Sequence, residues 1–131
     1  MYLLDSNILV ELLLDQDRAD EVEECLRALE PGTAFLSELS LHSIGIILLQ
    51  HKVPEVFMRF WADLLSPGAV RLVRLSLGDM PMVVDAASRF GLDFDDAYQY
   101  VTATKHGYTL LSFDTHFDRT DLQRRTPGEV S

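Results

Sequence analysis

Hydrophobic residues along the chain fall into short compact runs and into longer stretches with helical spacing. The short runs predict four strands, at residues 2–4, 33–36, 70–75 and 108–111. Apolar residues that recur every three or four positions predict helices at residues 8–13, 17–29, 39–50, 54–65, 79–90 and 94–106. Because strands and helices alternate, we expect an α/β fold, a three-layer α/β/α sandwich around a central, mainly parallel sheet.

Local signals refine this prediction at a few positions. Ser6 or Asn7 is expected to cap the first helix, since both side chains can accept a hydrogen bond from a free backbone N–H group. Arg71 and Arg74 alternate with apolar residues, which indicates a strand near a sheet edge. The polar tail from residue 119 onward predicts no regular element.

Composition favours a globular protein. The chain has 131 residues, of which 47% are hydrophobic and 24% charged, and we expect one domain over residues 1–131. A single cysteine, Cys25, excludes a disulfide framework. The net charge of −10 gives the chain no general electrostatic attraction for nucleic acid, so any contact with RNA has to be local.

The chain shows no predicted membrane segment. Its longest apolar run, residues 44–49, is far shorter than the roughly 20 residues that span a bilayer. Asp5 interrupts the amino terminus before a signal-peptide core could form. We therefore expect a cytoplasmic protein that does not contact the membrane.

Acidic residues follow two of the predicted strands. Asp5 comes directly after the first strand, Asp114 follows the last, and an acidic group that includes Asp95 and Asp96 opens a helix. Capping explains acids at a helix start, but the ends of parallel strands meet at one edge of a sheet, where carboxylates repel each other. A divalent cation that prefers oxygen ligands, Mg²⁺ or Mn²⁺, would make this convergence tolerable.

Three segments together are more specific than any single acid. They read LLDSNIL at residues 3–9, DDAYQYVTA at 95–103 and GYTLLSFDTHF at 107–117. In order, separation and total length the chain resembles the PIN domain family, in particular the small prokaryotic toxins of the VapC type. The resemblance covers nearly the whole chain.

This resemblance implies a metal-dependent ribonuclease with an acidic Mg²⁺ or Mn²⁺ cluster. Carried over by motif, Asp5, Asp96 and Asp114 would be the catalytic and metal-binding acids. Asn7 matches the family's opening polar residue, and Ser112 stands where the family usually has Thr or Ser near the metal. The family also implies an RNA substrate, an antitoxin protein as a partner and a homodimer.

The chain departs from the family at the second acid. The family usually carries a Glu on the helix after the second strand, and Ser43 occupies that position here. Glu38 could substitute if its loop bends toward the site, and Asp95 and Asp118 are further stand-ins. Because of Ser43, the alternative function is a catalytically weak domain that binds protein or RNA.

Other polar residues have weaker claims to the site. His42 and His116 could face the cleft, although each could also be a structural histidine. A small basic group could hold RNA phosphates or could simply be solvated: Lys105, Arg119, Arg124 and Arg125. An aspartate phosphotransfer domain also places Asp at strand ends, but Asn7 and the absence of a late Lys argue against it.

Overall fold

The structure, a computed structural model, describes residues 1–130. The strands are β1 Tyr2–Leu4, β2 Ala34–Ser37, β3 Val70–Val73 and β4 Thr109–Leu111. The helices are α1 Ser6–Leu13, α2 Ala19–Ala28, α3 Glu38–Gln50, α4 Pro54–Phe60, α5 Met80–Phe90 and α6 Phe94–His106. Short 3₁₀ turns lie at Leu77–Asp79, Thr115–Arg119 and Pro127–Glu129.

The four strands form one parallel sheet in the order β3-β2-β1-β4. The two central strands are almost entirely apolar, as expected for strands that helices cover on both faces. The strand with the arginine alternation, β3, lies at an edge. The predicted α/β class with a parallel central sheet is confirmed.

Side chains that alternate along the strands divide the core into two layers. Leu4 and Leu111 point to the face that α1, α2, α3 and α4 cover. Leu3 and Leu110 point to the opposite face, where Ala103 of α6 packs on them. The sheet is therefore sandwiched between two helical layers, and none of the helices within residues 1–130 is long and apolar enough to cross a membrane.

Two local features set where α1 begins after β1 and where α6 ends before β4. Asp5, not Ser6 or Asn7, caps α1, because its Oδ1 accepts a hydrogen bond from the Ser6 N–H at 2.8 Å. Gly107 ends α6 in the left-handed conformation (φ 70°), which a residue without Cβ adopts without strain, and the chain then enters β4.

Two segments differ from the sequence prediction. The predicted helix 54–65 continues past Phe60 as a π-helical turn, Trp61–Leu65. Pro67 has no N–H to donate to the carbonyl four residues earlier, and a wider bond from the Ser66 N–H to the Trp61 carbonyl (2.8 Å) closes the helix. The tail is also ordered, since Arg125 pairs with β4 through a bond from its N–H to the Leu110 carbonyl (2.9 Å).

Phe117 anchors the segment after β4 to the sheet. Its side chain is fully buried against Leu3 and Leu110. We predict that Phe117→Ala lowers the free energy of unfolding by about 3–5 kcal/mol, because it leaves a cavity in this layer. Urea denaturation would measure the loss. Phe94→Ala is the matched control, since that ring is 49% exposed and its removal should cost less than half as much.

Candidate metal centre

Asp5 lies at the carboxyl end of β1 with its carboxylate 7% exposed. Besides capping α1, the carboxylate accepts a hydrogen bond from the Ser112 hydroxyl at 2.6 Å, through Oδ2. The Gln99 amide approaches the other oxygen, with Nε2 3.5 Å from Oδ1. These partners hold Asp5 in one orientation at the base of the site.

Asp96 projects from the first turn of α6. The capping role in this acidic group belongs to Asp93, whose Oδ1 accepts a hydrogen bond from the Asp96 N–H at 3.0 Å. The Asp96 carboxylate is therefore not needed to cap the helix, and its side chain is only 14% exposed. Helix capping therefore accounts for the position of Asp93 but not for that of Asp96, whose side chain lines the site.

Asp114 and His116 come from the segment after β4. The Asp114 N–H donates to the Ser112 hydroxyl at 2.9 Å, and the Asp114 carboxylate accepts from the His116 N–H at 2.8 Å. The His116 ring returns toward the acids, with Nδ1 3.3 Å from both Asp96 Oδ2 and Asp114 Oδ1. One ligand atom from each of these three residues lies within 4.8 Å of the others.

These side chains line one cavity of about 260 Å³, hereafter the acidic cavity. Asp5, Asp96, Asp114 and His116 form one side of it, and Ser43 on α3 lies on its wall. The structure thus brings together the three acids expected from the sequence, from β1, α6 and the segment after β4.

Two acids of the cavity, Asp5 and Asp96, resist ionisation in the absence of a cation. Burial raises the pKa of Asp5, and the hydrogen bond from Ser112 offsets only part of that effect. Burial, followed by the negative charges of Asp114 and Asp93, raises the pKa of Asp96 to about 6. Proximity of like charges and loss of water both disfavour the carboxylate forms.

The expected supporting residues have defined roles. Asn7 donates from Nδ2 to the Ser112 hydroxyl and accepts at Oδ1 from the Phe113 N–H, each at 3.3 Å. Ser112 thereby links Asp5, Asn7 and Asp114. The Ser43 hydroxyl donates to the backbone carbonyl of its own helix four residues earlier, at 3.2 Å.

The structure places the proposed stand-in Glu38 outside the acidic cavity. Glu38 lines a separate opening beside Arg74 and Ser76. Asp118 is held by Arg124, which donates to it from Nε and Nη2 at 2.9 and 3.1 Å. Of the stand-ins, only Asp95 lines the cavity.

The basic group is not assembled at the site. Arg124 also donates to the Ser112 carbonyl, at 3.1 Å, and Arg119 donates to the Gly91 carbonyl, at 2.8 Å. Lys105 pairs with Asp79 at 2.7 Å. Each of these three cations is bound to a protein oxygen, so they do not form a shared phosphate-binding patch.

Sequence reasoning missed Gln99. Its side chain lines the acidic cavity and is 3% exposed, and its amide oxygen Oε1 is buried without a hydrogen-bond partner. Its position three residues after Asp96, on the same face of α6, is the signal that could have identified it.

The donors of the cavity fit a divalent cation. Carboxylate oxygens are the ligands that Mg²⁺ and Mn²⁺ prefer, and a cation would neutralise acids that otherwise resist ionisation. The unpartnered Gln99 Oε1 adds an acceptor whose burial is costly unless something in the cavity satisfies it. Asp96, Asp114 and His116 have ligand atoms within 4.8 Å of one another, and Asp5 lines the same cavity.

From the raised pKa of Asp96 we predict how the stability of the metal-free protein depends on pH. Between about pH 4 and pH 6 the folded chain binds more protons at Asp96 than the unfolded chain, so stability falls as the pH rises through this window. Asp96→Asn should therefore stabilise the metal-free protein at pH 7 by about 1 kcal/mol, or roughly 3–6 °C in melting temperature.

Thermal unfolding in chelator at pH 7 and pH 4 would test this. Most of the gain should disappear at pH 4, because Asp96 is protonated in the folded chain there and pH 4 lies close to the unfolded pKa of 3.8. Asp17→Asn, an exposed acid in the turn before α2, should leave stability unchanged at both values. A loss of stability in Asp96→Asn at pH 7 would contradict the prediction.

Known proteins share this fold. FitAcB from Neisseria gonorrhoeae is similar at 22% identity, with a TM-score of 0.78 over 97% of this chain and 98% of that one. VapC20 of Mycobacterium tuberculosis, described as a toxin that cleaves the sarcin-ricin loop, is 16% identical with a TM-score of 0.79 over 97% and 100%. A toxin-antitoxin complex from Klebsiella pneumoniae is 20% identical, with a TM-score of 0.75 over 97% and 98%.

At these identities the structural likeness shows the fold alone. No curated protein sequence matches the chain. The family model of the PIN domain, however, matches residues 2–122. This match spans all four strands and all four residues named on the acidic side of the cavity, and the chain belongs to the PIN domain family.

Proposed function

We propose that this chain is a divalent-metal-dependent endoribonuclease of the VapC toxin type. The observation that supports this proposal is the convergence of Asp5, Asp96 and Asp114 in one cavity, with the pKa values of Asp5 and Asp96 raised. Acids held in this way are costly to the metal-free fold and useful to a cation site. Mg²⁺ or Mn²⁺ is the cofactor that the oxygen donors favour.

A bound divalent cation supplies Lewis-acid chemistry, which activates water and stabilises the phosphoryl oxygens of an in-line displacement. The chain's own residues prepare the site. Ser112 fixes the Asp5 carboxylate and the Asp114 backbone, so two of the three acids share one hydroxyl as a reference point. Asp93 caps α6, which leaves Asp96 directed at the cavity.

The substrate and partners in this proposal follow the structural relatives. One structural relative is described as a sarcin-ricin loop cleaving toxin, and another as a toxin-antitoxin complex. We propose an RNA substrate, an antitoxin protein as a partner and a cytoplasmic location. The net charge of −10 means that a bound cation has to supply local attraction for phosphate.

A homodimer is part of the same proposal. Apolar side chains remain exposed on the layer formed by α3 and the helix that follows it: Ile46, Leu49, Met58 and Trp61 are each about half or more exposed. Exposed apolar area of this kind is typical of protein contacts.

The test of the proposed function is metal binding combined with RNA cleavage. Titration calorimetry with Mn²⁺ should show saturable binding, and Asp96→Asn should weaken it by at least about tenfold because a direct ligand is lost. Cleavage of a structured RNA should require the metal and fall to background in the same variant. Asp17→Asn, away from the cavity, should retain both properties.

Metal affinity that is unchanged in Asp96→Asn and in Asp5→Asn would contradict the assigned site. Metal binding without cleavage of any RNA would favour the second candidate, a catalytically weak domain that acts by binding protein or RNA. The observation that favours this candidate is Ser43, which presents a hydroxyl to the cavity where the family motif has a carboxylate.

Ser43→Glu separates the two candidates. The new carboxylate would add an oxygen ligand on the α3 side of the cavity, so we predict tighter Mg²⁺ binding and faster cleavage. Ser43→Gln is the matched control, because it adds the same length without the charge. If Ser43→Glu tightens metal binding and RNA remains intact, the binding module is the better account.

A further inference from the structure

We infer that His116 is a direct ligand of the divalent cation, so that the centre contains an imidazole nitrogen beside its carboxylates and binds Mn²⁺ in preference to Mg²⁺. This inference rests on the proposed function, because it assigns the ligand set of the same site. It differs from the sequence expectation, in which only acids were assigned to the metal.

The imidazole of His116 lies beside two of the acids. His116 Nδ1 is 3.3 Å from Asp96 Oδ2 and 3.3 Å from Asp114 Oδ1. The contact with Asp96 is a long hydrogen bond and that with Asp114 a long ion-pair contact, both beyond the usual 2.7–3.2 Å, so the ring lies between two carboxylates without a short bond to either. The separations are close to the spacing of neighbouring ligands around one ion, since adjacent donors about 2.1 Å from the metal stand about 3.0 Å apart in the octahedral shell of Mg²⁺ or Mn²⁺.

The residues that α3 contributes to the acidic cavity include no acid within the described part of the chain. Within the described residues, α3 contributes Ser40 and Ser43 to the acidic cavity and no carboxylate. The Ser43 hydroxyl is already donated to the Leu39 carbonyl, at 3.2 Å. Apart from the acids of β1 and of the α6 start, the segment after β4 adds a further donor to the cavity in His116, whose side chain is 52% exposed.

Gln99 provides an independent sign that the cavity takes a ligand. Its side chain is 3% exposed and Oε1 has no hydrogen-bond partner. The amide nitrogen Nε2 faces Asp5 at 3.5 Å, which leaves Oε1 on the other side of the amide group. A buried acceptor without a donor in the protein needs a partner from the cavity, and a hydrated cation suits the acidic lining.

The nitrogen donor determines which cation fits. Mg²⁺ favours a shell made only of oxygen ligands, whereas imidazole is a good ligand for transition metals. Mn²⁺ accepts carboxylate oxygens and imidazole nitrogen together. His116 therefore contributes to the affinity for Mn²⁺ far more than to the affinity for Mg²⁺.

The experiment compares the wild type with His116→Gln, which keeps the backbone bond to Asp114 and a polar side chain but removes the imidazole. His51→Gln is the matched control, because His51 is an exposed residue at the end of α3, outside the acidic cavity. Circular dichroism would establish that all three proteins are folded. Calorimetry with Mn²⁺ and with Mg²⁺ would give the affinities.

We expect His116→Gln to weaken Mn²⁺ binding by at least about tenfold, which is the lower range for altering even an outer partner of a metal ligand. The affinity for Mg²⁺ should change by less than about threefold, because Mg²⁺ gains little from nitrogen. Pulsed electron paramagnetic resonance of bound Mn²⁺ should show ¹⁴N modulation in the wild type and in His51→Gln. The modulation should be absent in His116→Gln.

Unchanged Mn²⁺ affinity in His116→Gln, or no ¹⁴N modulation in the wild type, would overturn the inference. Tighter Mn²⁺ binding in the variant would also overturn it, since the imidazole would then act as a competing charge. Asp96→Asn tells these results apart from failure of the proposed function. If that variant loses Mn²⁺ while His116→Gln does not, the nuclease site stands and only the histidine ligand is wrong.

Discussion

The hydrogen bond from the Ser112 hydroxyl to the Asp5 carboxylate joins the ends of two strands that lie side by side in the sheet. It spans 2.6 Å between residues that are 107 positions apart in the chain. The parallel register of β1 and β4, with Leu4 opposite Leu111, brings the two residues to the same edge. Asp114 is then fixed by the same hydroxyl, so the geometry of Asp5 and Asp114 depends on this one serine.

This arrangement places Asp5 and Asp96 where the charged form of a carboxylate is unfavourable to the folded state. Burial raises the pKa of Asp5, and burial with neighbouring negative charge raises that of Asp96 to about 6. Local rules elsewhere in the chain agree with the global fold, as they do in helix caps and apolar strands. The acidic cavity is the exception, because its buried carboxylates are unfavourable when charged. Groups with pKa values shifted in this way are typical of functional sites.

The site also shows how neighbouring acids take different roles. Asp93 and Asp96 are one turn apart on α6, and a sequence pattern cannot say which of them caps the helix. In the structure Asp93 caps it and Asp96 faces the cavity. Similarly, Glu38 and Ser43 lie on the same helix, yet only Ser43 lines the cavity, because a helix turns its residues to different directions every 100°.

The sequence by itself determined the parallel α/β fold, because alternating apolar strands and amphipathic helices depend on local spacing. It also determined which acids follow the strands, since Asp5 and Asp114 are next to apolar runs that can only be buried. Tertiary structure decided the orientation of His116, the burial of Gln99 and the pairing of Arg124 with Asp118. These depend on contacts between segments far apart in the chain, or on how a turn folds back, and spacing along the sequence does not encode either.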